Sequence, residues 1–311
     1  MPESFSDNNF FLARKFQNLE TRASFIQNIR LFFIQNGFLE VETPVRIPAP
    51  APEEHIEAIR TDGWFLQTSP ELCMKRLLAA GYPRIFQISK CFRADERGDK
   101  HLPEFTMLEW YVTGFDYQQL MNQCEAMILS IATASGVEAV NRQNKKISLL
   151  PPWERITVGE SFLRYAPVTS DEAMAKGIFD EILVDNVEPQ LGIIRPTFLY
   201  DYPAKLAALA KLKDSNPAVS ERFELYIDGL EIANGFSELI NPREQRERFE
   251  EALKARAAKN WARYAMPEKF LQSLTNLPPC AGIALGIDRL IMVLTGAKTI
   301  DDVVAFTPEN L

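Results

Sequence analysis

The stretch from Arg84 to Tyr111, RIFQISKCFRADERGDKHLPEFTMLEWY, decides the fold of this chain. Its two ends are rich in apolar and aromatic residues, and the segment between them, Glu96 to Pro103, is crowded with charge. This pattern predicts two antiparallel strands joined by a loop. Side chains alternate across a strand, so we expect one surface to carry an arginine, carboxylates and two aromatic rings: Arg93, Asp95, Phe105, Glu109 and Tyr111. Such a surface suits a flat, anionic ligand, and a nucleotide is the first hypothesis.

The composition is that of an ordinary globular protein without a membrane or secretory segment. The chain has 311 residues, of which 46% are hydrophobic, and a formal net charge of −8. This length suits one large domain or two unequal ones, and the acidic balance argues against a broad nucleic-acid-binding face. No apolar run reaches the ~20 residues of a membrane span. The N-terminus, MPESFSDNNFF, lacks the features of a signal peptide.

The few cysteines and histidines argue against several kinds of site. The four cysteines are scattered without CxxC spacing: Cys73, Cys91, Cys124 and Cys280. We therefore expect neither disulfides nor zinc, and a reducing cytoplasm is the simplest compartment. The sequence has only two histidines, His55 and His101, which argues against a histidine metal site and against a Ser-His-Asp triad. Neither a Walker loop nor a GxGxxG motif occurs.

The segment before this stretch begins with a helix. Apolar residues recur at helical spacing from Leu19 to Asn36, and Asn36-Gly37 is a typical helix end. A short strand, Phe38 to Pro44, is predicted to follow it. The apolar stripe of this helix fits either core packing or an interface between subunits.

Two further helices flank the opening stretch. Ser69 suits an N-cap and Pro70 the first turn of a helix, in which Glu71 and Lys75 are four residues apart and are expected to form a surface ion pair. After the stretch, the segment from Gln118 to Ser135 is predicted to form a helix with a buried apolar side.

A hairpin with an Asp228-Gly229 turn is the clearest in the sequence, with strands predicted from Arg222 to Ile227 and from Leu230 to Ile240. Glu231 and Glu238 are seven residues apart, which places them on opposite faces of a regular strand. A bulge at Asn234-Gly235 between them would restore the same face.

The remaining segments add little chemistry. Residues 154–195 are predicted to form a helical insertion with short helices near 157–165, 171–176 and 178–187. A solvated surface helix is expected from Glu250 to Tyr264. The segment GIALGIDRL, Gly282 to Leu290, is predicted to be a glycine-punctuated strand that runs into a helix ending near Gly296.

Together these segments resemble the catalytic domain of class II aminoacyl-tRNA synthetases, in the lysine-type subgroup. The helix and strand ending at Pro44 resemble motif 1, FRADERGDKHLPEFTMLEWY resembles motif 2, and GIALGIDRL resembles motif 3. The segment EIANGFSEL resembles the lysyl-enzyme segment that supplies metal and amino-acid contacts. The resemblance covers about residues 12 to 311. It implies an α+β fold, 1–311 as a single domain, with a mixed, mostly antiparallel sheet flanked by helices.

The resemblance is closer to a truncated branch of this family than to a complete synthetase. Motif 1 begins almost at once, so we expect no N-terminal OB-fold for anticodon binding. The truncated paralogues ligate (R)-β-lysine to a lysine of translation elongation factor P, and they carry Ala where lysyl-tRNA synthetases usually carry Gly, as at Ala284. The alternatives are a stand-alone lysyl-tRNA synthetase-like enzyme that charges tRNA, an asparagine-synthetase-like relative, and a catalytically inactive regulatory paralogue.

The resemblance implies a set of nucleotide contacts. ATP and Mg²⁺ are the expected cofactors, with Arg93 at the α-phosphate, Phe105 stacked on the base, and Asp95 or Glu96 at the adenine amine. His101 and Arg289 are expected at the γ-phosphate. The further expected nucleotide contacts are Glu231, Ile232 and Gly286. Glu231 and Glu238 are the expected metal ligands.

It also implies an amino-acid pocket and a set of partners. The residues expected to line that pocket are Ser69, Pro70, Glu71, Tyr111, Asn234, Glu238 and Ala284. The expected partners are elongation factor P, a small amino acid and a second copy of the chain bound through the motif 1 helix, with no membrane and no stable tRNA binding. Two positions depart from the family pattern: Asp95 stands where motif 2 has Glu, and Leu102 stands where it has Asn.

Overall fold

The computed structural model describes residues 12–142 and 145–311. Within these residues the main feature is a nine-stranded sheet with the order β1-β5-β6-β14-β13-β12-β10-β9, in which β11 pairs with β12. Two smaller units accompany it, a β2-β4-β3 sheet and a β7-β8 hairpin. The strands are β1 (Leu39–Glu40), β2 (Arg46–Ile47), β3 (Arg60–Thr61), β4 (Trp64–Leu66), β5 (Arg84–Phe92), β6 (Glu104–Thr113), β7 (Ala139–Arg142), β8 (Lys145–Ser148), β9 (Glu154–Thr157), β10 (Thr197–Pro203), β11 (Leu212–Lys213), β12 (Asn216–Ile227), β13 (Leu230–Ser237) and β14 (Cys280–Gly286).

The sheet is mostly antiparallel, as predicted. The parallel pairs are β1 with β5 and β10 with β9, and the central pairs from β5 to β12 are antiparallel. Helices flank the sheet: α1 (Phe16–Gln35), α2 (Glu71–Ala79), α3 (Tyr117–Ala134), α4 (Val158–Tyr165), α5 (Ser170–Lys176), α6 (Phe179–Ile182), α7 (Pro242–Ala258), α8 (Glu268–Ser273) and α9 (Ile287–Thr295). No helix among the described residues combines the length and apolarity that crossing a membrane requires.

One face of the sheet is buried under α1, α3 and α9. Leu108 and Trp110 of β6 and Ile283 and Leu285 of β14 join this core, and all four are fully or almost fully buried. Because side chains alternate along a strand, the residues between them point to the other face. That second face therefore carries the polar groups of the two central strands.

The β5–β6 hairpin is confirmed, but its first strand is shorter than the sequence suggested. Phe92 pairs with Glu104 at the end of the ladder, so Arg93 and Asp95 lie in the loop. The prediction that strand alternation puts them on one face is therefore wrong. Asp95 turns the chain with a left-handed φ of 61°, a conformation that Asp tolerates better than most residues.

The β12–β13 hairpin turns at Asp228-Gly229 with positive φ at both residues, as expected for this turn. The predicted bulge exists at a different place. The register shifts where Leu225 pairs with Ala233 and Tyr226 with Glu231, so the extra residue is Ile232 and not Asn234-Gly235. Because this bulge precedes Asn234, it brings Glu231 to the same face as Asn234 and Phe236.

Helix α7 corrects the prediction of a solvated helix from Glu250 to Tyr264. It runs from Pro242 to Ala258 and starts where the Asn241 side chain accepts hydrogen bonds from two backbone N–H groups. Its last turn carries a buried arginine, Arg256, which is 1% exposed. One side of α7 is therefore packed against the protein.

Helices α4, α5 and α6 form a separate apolar cluster that packs on β10 and β12. Thr157 and Thr169 close capping boxes at the starts of α4 and α5, which explains why these short helices begin where they do. The assignment of residues 154–195 as an insertion into a single domain stays a prediction.

Candidate active site

A cavity of about 880 Å³ opens on the polar face of the sheet. This volume lies within the usual range for small-molecule sites. Its floor consists of β6, β14 and β13, whose cross-strand neighbours form two rows. One row is Tyr111, Gly282 and Phe236, and the other is Glu109, Ala284 and Asn234.

Gly282 is required by the close packing of this floor. A Cβ atom at this position would lie 2.2 Å from a ring carbon of Tyr111 and 2.6 Å from Oε1 of Glu238. The glycine therefore lets the Tyr111 ring lie flat across β14. This packing brings the Glu238 carboxylate against the cavity side of Gly282.

Glu109 is the central acidic group at the amino-acid end of the cavity. It accepts hydrogen bonds from Ser69 Oγ at 2.5 Å and from the Tyr111 hydroxyl at 2.8 Å, and it is 1% exposed. Burial, and next the nearby Glu71 carboxylate, raise the pKa of Glu109 to about 8. A positively charged ligand group would therefore be favoured beside it.

Glu71 and Lys75 form the predicted ion pair, at 2.6 Å, but the pair is buried and not on the surface. Helix α2 begins at Glu71, one residue later than predicted, and Ser69 Oγ accepts from the Glu71 N–H at 3.0 Å. Lys75 Nζ also pairs with Glu238 Oε2. Burial lowers the pKa of Lys75, but Glu238 and Glu71 outweigh that effect and raise it overall.

Glu238 is 2% exposed, and burial raises its pKa to about 8 although Lys75 opposes this shift. Its Oε1 atom is buried without a hydrogen-bond donor. Glu238 thus lies on the amino-acid side in an ion pair with Lys75, and the predicted Glu231–Glu238 metal pair stays a prediction. The part of the chain that the structure describes holds no cluster of three metal-ligating His, Cys, Asp or Glu side chains.

The opposite end of the cavity carries Arg93. Its guanidinium lies 5.1 Å from the centroid of the Phe105 ring, and its Nη1 lies 3.8 Å from the Glu96 carboxylate. Its Nε is buried without an acceptor. A buried, unsatisfied guanidinium N–H favours an anionic oxygen as its partner.

Arg289 closes the same end from α9. It donates to the Glu231 carbonyl at 3.0 Å and to the Glu231 carboxylate at 3.3 Å, and its Nη2 lies 2.5 Å from His101 Nε2. Burial, and then the Arg289 charge, lower the pKa of His101. His101 is therefore neutral, with Nε2 as the acceptor for Arg289.

A third group of polar residues on the cavity wall escaped the sequence reasoning. Glu224 accepts hydrogen bonds from Tyr202, Tyr226 and Arg222, each at 2.6 Å. The sequence of β12 contains a pattern that could have identified this group, because Arg222 and Glu224 alternate with apolar Phe223 and Leu225. Alternation of this kind predicts a strand with one polar face.

Most of the predicted site residues lie around this one cavity. The residues that line it are Ser69, Glu71, Arg93, Glu96, His101, Phe105, Tyr111, Glu231, Ile232, Asn234, Ala284, Gly286 and Arg289. Three further predicted site residues, Asp95, Pro70 and Glu238, do not line the cavity wall. Asp95 is exposed in the loop, Pro70 precedes α2, and Glu238 is buried beside Gly282 and Lys75. Glu96, and not Asp95, therefore faces the cavity, as does Leu102, which is buried.

Comparison with known proteins shows the family of this chain. The family model described as tRNA synthetases class II (D, K and N) matches residues 11–310. A protein of Pectobacterium carotovorum named elongation factor P–(R)-β-lysine ligase is 39% identical over 94% of this chain and 95% of its own length. Proteins with the same name from Proteus mirabilis and Hamiltonella defensa are 38% and 37% identical, over 93% and 94% of this chain and 94% and 95% of their own lengths. This chain therefore belongs to the family of class II tRNA synthetases for D, K and N.

Proposed function

We propose that this protein is a ligase that activates a lysine-type diamino acid, (R)-β-lysine, with ATP and transfers it to a lysine side chain of translation elongation factor P. The observation that carries the proposal is one cavity with a carboxylate-rich end and an arginine end. The carboxylates suit the ammonium groups of a diamino acid, and the arginines suit phosphates. The names of the similar relatives support the same substrate and acceptor.

The first step joins the amino-acid carboxylate to the α-phosphorus of ATP and releases pyrophosphate. Arg93 would bind the α-phosphate, because its buried Nε has no other acceptor and a guanidinium binds two oxygens at once. Arg289 would bind the γ-phosphate together with neutral His101. A reaction of this kind depends on positioning and on neutralising charge, which the two arginines would supply.

Glu231 fits a Mg²⁺ ion. Its carboxylate lines the cavity, is 39% exposed and supplies the hard oxygen that Mg²⁺ prefers. When bound, the ion would supply further positive charge for the phosphates. Glu238, the second predicted ligand, is more buried, and its Oε2 pairs with Lys75 while its Oε1 has no hydrogen-bond partner.

In the second step the acceptor amine attacks the acyl carbon, an amide bond forms, and AMP leaves. The free amine of a lysine has a pKa of about 10.4, so it must lose a proton before it attacks. The leaving phosphate is the proposed acceptor of that proton. Because the proposed acceptor protein is a translation factor, the proposed compartment is the cytoplasm.

We also propose that the protein acts as a homodimer through α1. The side of α1 opposite its buried Phe25, Ile29 and Phe33 exposes three apolar side chains, which we call the exposed apolar stripe. Phe16, Leu31 and Ile34 on this stripe are 69%, 52% and 56% exposed. An exposed apolar stripe of this kind is typical of an interaction site.

ATP–pyrophosphate exchange with (R)-β-lysine, lysine and aspartate tests the proposal, followed by transfer to purified elongation factor P or to tRNA. We expect exchange with (R)-β-lysine and transfer to the protein. The absence of exchange with every amino acid would refute an activating enzyme, and efficient charging of tRNA would refute the protein-ligase reading. A strong preference for lysine over (R)-β-lysine would contradict the expectation that Ala284 marks the (R)-β-lysine branch of the family.

A further inference from the structure

Helix α1 places an arginine behind the arginine end of the cavity. Arg22 Nη1 lies 2.5 Å from Oδ1 of Asp288, and Arg22 Nη2 donates to the Thr106 hydroxyl at 2.8 Å. Oδ2 of Asp288 in turn accepts a hydrogen bond from the Thr106 N–H at 2.7 Å. Asp288 and Thr106 belong to the cavity wall, whereas Arg22 does not line the cavity. The three residues therefore join α1, β6 and the start of α9 at the back of this wall.

Asp288 takes this place because β14 ends one residue too early to pair with Thr106. The last pair between β6 and β14 is Met107 with Gly286, and the chain then enters α9 at Ile287. Thr106 therefore has no partner in β14, and the Asp288 carboxylate accepts the hydrogen bond from its N–H instead. An unpaired buried N–H is unfavourable, so this contact stabilises the junction between the strand and the helix.

The chain neighbours of Thr106 and Asp288 are two of the proposed ATP contacts. Phe105 precedes Thr106, and the centroid of its ring lies 5.1 Å from the Arg93 guanidinium. Arg289 follows Asp288 and lines the same end of the cavity. The contact between Asp288 and Thr106 therefore fixes the spacing between the ring proposed for the base and the guanidinium proposed for the γ-phosphate.

The Asp288 carboxylate needs a compensating charge at this place. Its side chain is 3% exposed and that of Arg22 is 14% exposed, so water screens the pair only weakly. An uncompensated carboxylate on this wall would repel the phosphates of ATP and compete with them for Arg289. Arg22 offsets this charge from the side away from the cavity, and it leaves the space for the phosphates open.

We propose that Arg22 is a positioning residue for ATP: it neutralises Asp288 and holds it against Thr106, so that Phe105 and Arg289 keep their spacing on a wall without net negative charge. The inference rests on the proposed function, because ATP is the proposed ligand of the arginine end. It assigns a part in nucleotide binding to a side chain that does not touch the nucleotide.

The first test compares Arg22→Gln with the wild type in exchange assays on the full chain. KM is measured for ATP and for (R)-β-lysine. We expect KM for ATP to rise about tenfold or more, because loss of one partner of a buried ion pair leaves the other charge uncompensated. KM for (R)-β-lysine should stay unchanged, because the amino-acid end of the cavity is built from other residues.

The double variant Arg22→Gln/Asp288→Asn separates this role from a purely structural one. Asp288→Asn removes the carboxylate charge and keeps a side-chain oxygen for the Thr106 N–H. KM for ATP should therefore return towards the wild-type value, although a second contact has been altered. Arg22→Lys keeps the positive charge without the fork and should also keep KM for ATP close to the wild type. These two variants provide the test even where Arg22→Gln does not fold.

The matched control is Arg30→Gln. Arg30 lies on the same helix and pairs with Glu40 at 2.9 Å, and neither residue lines the cavity, so both KM values should be kept. Thermal unfolding checks the fold of every variant. An unchanged KM for ATP in folded Arg22→Gln, an equal rise in both KM values, or a double variant no better than the single one would overturn the inference while the proposed function stands. A wild type without exchange for any amino acid would overturn both.

Discussion

Arg93 is the residue for which we expect the largest effect on activation. Its Nε is buried without an acceptor and its guanidinium is held by the Phe105 ring, so it is positioned for an anionic group before that group arrives. Arg93→Ala should lower the exchange rate about a hundredfold or more, the size seen when one preorganised donor to a transition state is removed. Measurement of exchange together with Tm distinguishes this loss from unfolding.

Arg97→Ala is the matched control for this prediction. Arg97 lies four residues further along the same loop, where it pairs with Asp301 and Glu309 at 2.8 Å, away from the cavity. Exchange should stay near the wild-type rate in this variant. Near-normal exchange in Arg93→Ala would refute the α-phosphate assignment.

At the scale of the element, β14 forms the floor only because Gly282 lacks a side chain. Gly282→Ala should destabilise the fold by about 1–3 kcal/mol, the usual effect of overpacking, and should raise KM for the amino acid because Tyr111 must move. Denaturant unfolding and exchange kinetics measure the two effects. Gly159→Ala in α4, where a Cβ meets nothing within 4 Å, should instead be neutral or stabilising by about 0.5–1 kcal/mol. Equal stability of the two variants would contradict this account of the floor.

The two hairpins show which structural elements sequence patterns alone can predict. Alternation and turn residues predicted the β5–β6 and β12–β13 hairpins, because both signals are local. The same alternation failed at Arg93 and Asp95, since nothing local in the sequence indicates that the strand ends at Phe92. The burial of Arg256 was missed for a different reason: the carbonyl oxygens of Glu53 and Ile56 that it binds lie about two hundred residues away in the sequence and meet it only in the folded chain.

At the scale of the whole molecule, the excess of buried carboxylates couples stability to pH. Folding raises the pKa of Glu109 from 4.5 to about 8, so the folded protein holds a proton that the unfolded chain releases near pH 4.5. This contribution favours folding at low pH and is lost as pH rises towards about 8. The Tm of the ligand-free protein should therefore fall more steeply between these limits in the wild type than in Glu109→Gln. Equal slopes in the two proteins would contradict the prediction.

The same carboxylates predict the pH dependence of substrate binding. A carboxylate binds an ammonium group best when it is ionised, and the pKa values of Glu109 and Glu238 are both raised to about 8. KM for (R)-β-lysine should therefore fall as pH rises from about 6 to about 8, because the side-chain ammonium of the substrate, with a pKa of about 10.4, stays protonated. A KM that is independent of pH in this range would show that these groups do not receive the substrate.

The assembly is tested on α1. Leu31→Glu should shift the protein from dimer to monomer in sedimentation or light scattering, because it places a charge in the exposed apolar stripe. Leu163→Glu on α4 removes a leucine that is 74% exposed and should leave the assembly unchanged. A wild type that is already monomeric at micromolar concentration would refute the dimer.

The ion pairs of Lys75 with Glu71 and Glu238 have a consequence for the kinetics of binding. The buried ammonium keeps these carboxylates apart and oriented in the empty protein, in the way that a permanently bound counterion would. The ordering of these side chains is therefore complete once the chain has folded, and little conformational entropy is left to lose when the substrate arrives. Association should then follow a single concentration-dependent phase in stopped-flow measurements, without a slower rearrangement after the encounter.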